Sequence, residues 1–258
     1  MSTVELNVDP VTHVANLWLA RPDAANALNI EMAGDVHAAA CELAARSDVR
    51  CVLLRGRGKM FCAGGDVKAF ADEPGLIAEL LTVWHPAVLA LLALDAPIVA
   101  AVQGSAAGAG LGLVVASDLV LSSRSCKFVM AYTGIGLTPD GSSSWFLTRL
   151  VGHRRAAELT LLNRVLTADE ALAWGLVNFV VDDDDLDAEA DKLAARLAAG
   201  PTKAYARARR LLNDSWTNTL SEHLEREAAE MTASSQSADG REGISAFAAR
   251  RAPNFKGG

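Results

Sequence analysis

At 258 residues, 51% of them hydrophobic and 21% charged, the chain has an ordinary globular composition. A chain this long buries about three quarters of its unfolded surface without a metal or disulfide staple, which excludes a disordered segment, a collagen repeat and a disulfide scaffold. The 24 Lys+Arg against 31 Asp+Glu give a net charge of -7, which argues against nucleic acid or an anionic membrane as partner.

The predicted elements begin with strands over Val4–Val8 and Val14–Leu19, joined at Asp9-Pro10 as a hairpin. Asn29 is placed to cap a helix running to about Ala45, with Met32, Val36, Ala40 and Leu43 on one face. The branched run at residues 49–54 reads as a buried strand. A glycine-rich loop over residues 56–65 and helical segments to about Leu94 follow it. Next come a strand over Ile98–Val102, a helix over residues 107–116, and short strands at residues 119–121 and 128–129.

Thr167-Ala168-Asp169-Glu170 has the form of a capping box, with Gly175 as helix stop and a strand over residues 177–181. The acidic run at residues 182–185 reads as a solvated loop. Beyond Leu186 the pattern is helical, broken at Gly200-Pro201 and at residues 234–240. Trp216, Leu220, Leu224, Ala228 and Met231 form an apolar stripe that meets either its own domain or another subunit. Strands alternating with helices to about residue 181 predict an α/β core, which we assign to residues 1–199, with a helical region over residues 200–258.

Other functions have weak signals. Cys41, Cys51, Cys62 and Cys126 form no C-x-x-C pair, and the N-terminal segment lacks a basic region before an apolar one. Reduced thiols in a cytoplasmic protein are expected. From Ala96 to Ser117 no residue is charged, a length that could span a membrane. Its four glycines fit a buried strand and a tightly packed helix better. The five histidines, His85 among them, share no metal spacing and read as surface or capping residues, so no metal site is expected. Gly108-Ala109-Gly110-Leu111-Gly112 lacks the G-x-G-x-x-G spacing, and the next acid, Asp118, falls well short of the ~20 residues of a dinucleotide site. Lys203, Arg207, Arg209 and Arg210 form a local basic patch, against which the acidic total weighs.

Two glycine-rich loops, residues 56–66 and 104–112, each precede a helical segment. Free backbone N–H groups at such loops can face developing negative charge, and a converging pair makes an oxyanion hole. Either loop alone reads as an ordinary tight turn, and only the pair with its flanking residues points further.

The flanking residues resemble the crotonase (enoyl-CoA hydratase/isomerase) superfamily. Phe61-Cys62-Ala63-Gly64-Gly65-Asp66-Val67 is similar to its first signature, and Arg21-Pro22 with Asn26-Ala27-Leu28 to its CoA-binding loop. Ala101-Val102-Gln103-Gly104 through Gly110 with Ser117-Asp118 resembles the second signature. Gly136-Leu137-Thr138-Pro139-Asp140-Gly141 with Arg149-Leu150-Val151-Gly152 resembles the third. The likeness continues through Ala171-Trp174-Gly175-Leu176-Val177 to Phe247, Arg250, Pro253 and Phe255.

The resemblance implies a spiral of ββα units, a helical C-terminal region that assembles a homotrimer or homohexamer, and an acyl-CoA substrate with no separate cofactor. Carried over by position, the oxyanion donors are the N–H groups of Gly65 and Ala109. CoA-ester contacts fall on Ala25, Ala63, Gly64, Asp66, Val67 and Gly108, with Lys256 either reaching a phosphate or standing as a surface lysine. The two glutamates of the hydratases fall on Gly112 and Tyr132, neither of which handles a proton as a carboxylate does. The acid position of several isomerases falls on Asp140, and the neighbouring residues most resemble the ring-epoxyphenylacetyl-CoA isomerase branch. That branch carries two glycines after the acid, where this chain has Gly141 and then Ser142-Ser143-Ser144. Asp140 among Ile135, Leu137, Trp145 and Phe146 suits a base that takes and returns a carbon-bound proton, or it caps the helix that follows. Tyr132 is expected to position the acyl group or to hydrogen-bond Asp140.

Overall fold

The computed structural model describes residues 2–73 and 75–258. In chain order the first half comprises β1 (Val4–Val8), β2 (Val14–Leu19), α1 (Ile30–Ala44), β3 (Cys51–Gly56), α2 (Val67–Asp72), α3 (Leu76–Leu92), β4 (Ile98–Val102), β5 (Ser105–Ala107) and α4 (Ala109–Ala116). The second comprises β6 (Leu119–Ser123), β7 (Lys127–Val129), α5 (Ser143–Val151), α6 (His153–Leu162), β8 (Leu166–Thr167), α7 (Ala168–Trp174), β9 (Phe179–Val181), α8 (Leu186–Ala198), α9 (Thr202–Asp214), α10 (Leu220–Gln236) and α11 (Ala238–Ala248).

A six-stranded sheet runs β1-β2-β3-β4-β6-β9 and a smaller one β5-β7-β8. The β1–β2 hairpin is antiparallel, and its turn is tied by Asp9 Oδ1 accepting the N–H of Val11 at 2.7 Å. From β2 to β9 the large sheet is parallel. Parallel strands are covered on both faces, and successive side chains of one strand point to opposite sides. Accordingly Val52 and Leu54 of β3, with Ile98, Ala100 and Val102 of β4, enter the main core. Cys51, Leu53, Val99 and Ala101 face the other way, onto Leu186, Ala190, Ala194 and Ala198 of α8.

α1 forms as its cap and stripe predict. The Asn29 side chain accepts the Met32 N–H at 2.9 Å, and Met32, Val36, Ala40 and Leu43 are buried. The capping box of α7 and its left-handed Gly175 are likewise in place. The third strand begins at Cys51 rather than residue 49, because Val49 is buried in the core but lies outside the ladder. The expected helix at residue 107 begins at Ala109, since residues 105–107 pair with β7 as a parallel strand. The uncharged stretch from Ala96 is thus β4, β5 and α4. Among the described residues no helix is long and apolar enough to cross a membrane.

In the C-terminal part, α10 runs on to Gln236, and only Ser237, whose hydroxyl accepts the Gly240 N–H at 2.9 Å, separates it from α11. The acidic run is held rather than loose, with Asp182 on Arg124 at 2.9 Å and Asp183 on the Ser125 N–H at 3.0 Å. The basic patch of α9 is largely neutralised. Lys203 and Arg210 pair with Asp95, Arg209 with Asp118, and Arg207 with Glu230. Trp216 packs edge-on against Phe146, with ring centres 5.7 Å apart. The rest of its stripe does not pack on its own chain: no residue of α10 is buried, and Leu220, Leu224 and Met231 are exposed.

Candidate active site

The loop after β3 is clasped from inside by Asn26, a fully buried polar residue with a positive φ of 55°. Its Nδ2 donates to the carbonyls of Arg57, Met60 and Phe61 at 2.8–3.1 Å, and its Oδ1 accepts the Arg21 N–H at 2.8 Å. Ala63 N–H then donates to the Ala25 carbonyl, Leu28 N–H to Gly64 and Asp66 N–H to Leu28. This two-way exchange passes over Gly65. Beyond it, the Asp66 carboxylate pairs with Arg21 at 3.1 Å.

The second loop is pinned to the first. Cys62 N–H donates to the Ser105 carbonyl, and Ala107 N–H donates to Cys62. The Cys62 thiol is buried between them, which pushes its pKa up to about 11. Gly108 turns the chain into α4 with φ 49° and ψ -120°, a conformation open to glycine. A side chain there would come within 3.5 Å of the Gly64 Cα, so the two loops touch at these glycines. Gly108 N–H is spent on the Val129 carbonyl. Among the described residues, the N–H groups of Gly65 and Ala109 find no acceptor within the chain.

Both residues line one cavity of about 180 Å³. Its walls are Leu28, Phe70, Ile77, Leu80, Leu81, Ile135 and Leu137, with Ala63, Gly64, Val67 and Gly108 at the loops. Its polar side chains include Asp140 and Tyr132. Two unpaired N–H groups, that of Ala109 at the first residue of α4 and that of Gly65 in the loop before α2, can hold an oxygen that gains negative charge, and a carboxylate in the same apolar cavity can take a proton.

Asp140 does not cap the next helix with its side chain. α5 begins at Ser143, and it is the Asp140 carbonyl that accepts the Ser143 N–H at 3.0 Å and the Ser143 hydroxyl at 2.6 Å. The carboxylate is left facing the cavity, with Oδ2 3.8 Å from His85 Nε2. The Tyr132 hydroxyl is buried and has no hydrogen-bond partner among the described residues, so the expected bond to Asp140 is not formed. Burial, and then the Asp140 charge, push its pKa up, so it remains a neutral donor.

The enoyl-CoA hydratase/isomerase family profile matches residues 11–258. The chain belongs to that family. It is 39% identical over 249 residues to the 1,2-epoxyphenylacetyl-CoA isomerase of Escherichia coli (strain K12), covering 95% of both proteins. It is 33% identical over 234 residues to 4-chlorobenzoyl coenzyme A dehalogenase-2 of an Arthrobacter species, covering 89% of this chain and 85% of that one. The crystal structure of an enoyl-CoA hydratase from Mycobacterium smegmatis superposes with a TM-score of 0.93 at 31% identity, over 99% of each chain. The fold is the crotonase spiral with a helical C-terminal region, and the chemistry of the family is that of CoA thioesters.

Within that family the departures have physical correlates. A side chain at Gly112 would lie 3.2 Å from the Gly141 carbonyl, leaving little space for a glutamate. Gly141, at φ 55°, would set a Cβ 2.5 Å from the fully buried Trp84 Nε1, so glycine is required there. Ser142 adopts φ 72°, the left-handed region in which a second glycine would sit without strain.

Three of the residues expected to contact the CoA ester, Ala25, Asp66 and Lys256, do not line this cavity. Lys256 lines a separate depression with Val11, Thr12, His13 and Arg50. The Asp239 carboxylate accepts the N–H groups of Lys256 and Gly257, each at 2.7 Å, and pins the tail there. Ala25 also lies behind the cavity wall, touching it through Ala63. Sequence reasoning in turn missed His85 as a neighbour of Asp140. No spacing within α3 signals it, because its partner lies in a distant loop.

Proposed function

We propose that the chain is an acyl-CoA isomerase that shifts a double bond through a thioester enolate. The observation that carries this is the pairing of two unpaired N–H groups, on Gly65 and Ala109, with Asp140 as the one carboxylate lining the cavity among the described residues. The thioester oxygen sits between the two donors, each worth about 3 kcal/mol of barrier. The Asp140 carboxylate removes a proton from one carbon of the acyl chain and delivers one to another. Tyr132 orients the acyl group with its neutral hydroxyl. The CoA moiety runs along the first loop past Ala25, Ala63, Gly64, Asp66 and Val67, and it enters as part of the substrate, with no separate cofactor. The likeness to a 1,2-epoxyphenylacetyl-CoA isomerase is in keeping with this reading, and the non-acidic residues at Gly112 and Tyr132 favour it over hydration.

A panel of 2-enoyl-, 3-enoyl- and aryl-CoA esters, followed by mass and absorbance, tests the reading. Isomerisation of a 3-enoyl-CoA leaves the mass unchanged and raises conjugated absorbance. Addition of water to a 2-enoyl-CoA would make the protein a hydratase, and tight binding without turnover a non-catalytic CoA-ester-binding oligomer.

The same reading makes the active unit a homotrimer or homohexamer, with residues 1–199 as the spiral core and residues 200–258 as the assembling region. The exposed Leu220, Leu224, Met231, Ile244 and Phe247 support it, being too much apolar surface to leave in water. Light scattering should give three or six chain masses at micromolar concentration, and a monomer mass would contradict it.

A further inference from the structure

His85 sits on α3 one residue before Pro86, with its side chain about half exposed at 47%. Asp140, 22% exposed, lines the cavity, whereas His85 does not. An acyl group filling the cavity therefore covers Asp140 and leaves the imidazole in contact with solvent. The surroundings offer few competitors for this partnership. α4 carries no titratable side chain, and α5 presents Ser143, whose hydroxyl is spent on the Asp140 carbonyl. Arg149, further along α5, lies over the Trp145 ring at 3.4 Å. Lys68, Asp72 and Glu79, on α2 and α3, do not line the cavity, and Tyr132 stays neutral.

We propose that His85 is a positioning residue that exchanges the proton held by Asp140 with solvent during turnover. The inference rests on the isomerase reading. In the first step a C–H bond of the substrate breaks, an O–H bond forms on Asp140, and the electron pair enters the enolate held by the two N–H groups. The Asp140 O–H then breaks as an Nε2–H bond forms on His85, and the imidazolium releases a proton to water. A solvent proton returns by the same route and is delivered to the other carbon, so no proton is gained or lost overall. The 3.8 Å separation closes to a hydrogen bond with a shift of about 1 Å.

The test is isomerisation of a 3-enoyl-CoA in D2O, with the deuterium content of the product read by mass spectrometry. Wild type should deliver solvent deuterium. His85→Gln should return mostly the substrate's own hydrogen, with kcat down about 10-fold and KM within about twofold. His85→Ala should behave alike and recover both turnover and deuterium incorporation when free imidazole is added. A merely structural histidine would show no imidazole rescue and no change in isotope content. A wild type that isomerises, with both variants giving the wild-type isotope content and kcat, would overturn the role of His85 alone. A wild type that neither isomerises nor exchanges would overturn the assigned reaction and this role with it.

Discussion

Asp140→Asn separates chemistry from architecture, because the structural duties of Asp140 lie in its backbone. The carbonyl that holds the Ser143 N–H and hydroxyl is retained by asparagine, and the side chain caps nothing. The loss is confined to the charge facing His85 across 3.8 Å, between partly exposed groups. A pair of that kind contributes no more than about 1 kcal/mol, so the melting temperature should move by less than about 4 °C for a chain of this size. Removing the base should slow 3-enoyl-CoA isomerisation by about 100-fold or more, which corresponds to about 2.7 kcal/mol of barrier. KM should stay within about twofold, because the proposed contacts to CoA are on other loops. Absorbance kinetics, calorimetric melting and titration with a non-reactive CoA ester measure the three quantities on one preparation. Full turnover in the variant would refute the assignment. So would a large fall in melting temperature together with lost binding, which would make the carboxylate a structural group after all.

Ala109→Pro deletes one unpaired N–H at the first residue of α4, where proline is tolerated. Turnover should fall by about 100-fold or more with little loss of stability, and normal turnover in the folded variant would remove this group from the oxygen site. Ser142→Gly relieves a positive φ and removes a buried hydroxyl without partner, so it should raise stability by about 1 kcal/mol in a denaturant titration. With Cys51, Cys62 and Cys126 buried and their pKa values pushed up by that burial, only the exposed Cys41 should react with a thiol reagent at pH 8 in the native protein. Reaction of more than one equivalent before unfolding would show that the core opens.

What the sequence determined by itself is the part that rests on local physics. The β1–β2 hairpin, the Asn29 cap of α1 and the capping box of α7 each depend on residues a few positions apart, and each formed as read. The glycine loops and the motif around Asp140 were legible for a related reason, since backbone conformations closed to other side chains leave a compositional trace. Tertiary structure decided everything that required distant partners. β5 is only three residues long and exists because β7 pairs with it. The basic run on α9 is paired with Asp95 and Asp118, 91–115 residues away in sequence. Lys256 is placed by its backbone bond to Asp239, beside a depression apart from the cavity. His85, unremarkable within its helix, became a neighbour of Asp140 because α3 runs beside the loop that carries it. A charge or a proton acceptor acquires its role from what lies within about 4 Å of it, and for these residues that neighbourhood is set by the folded chain rather than by adjacent sequence.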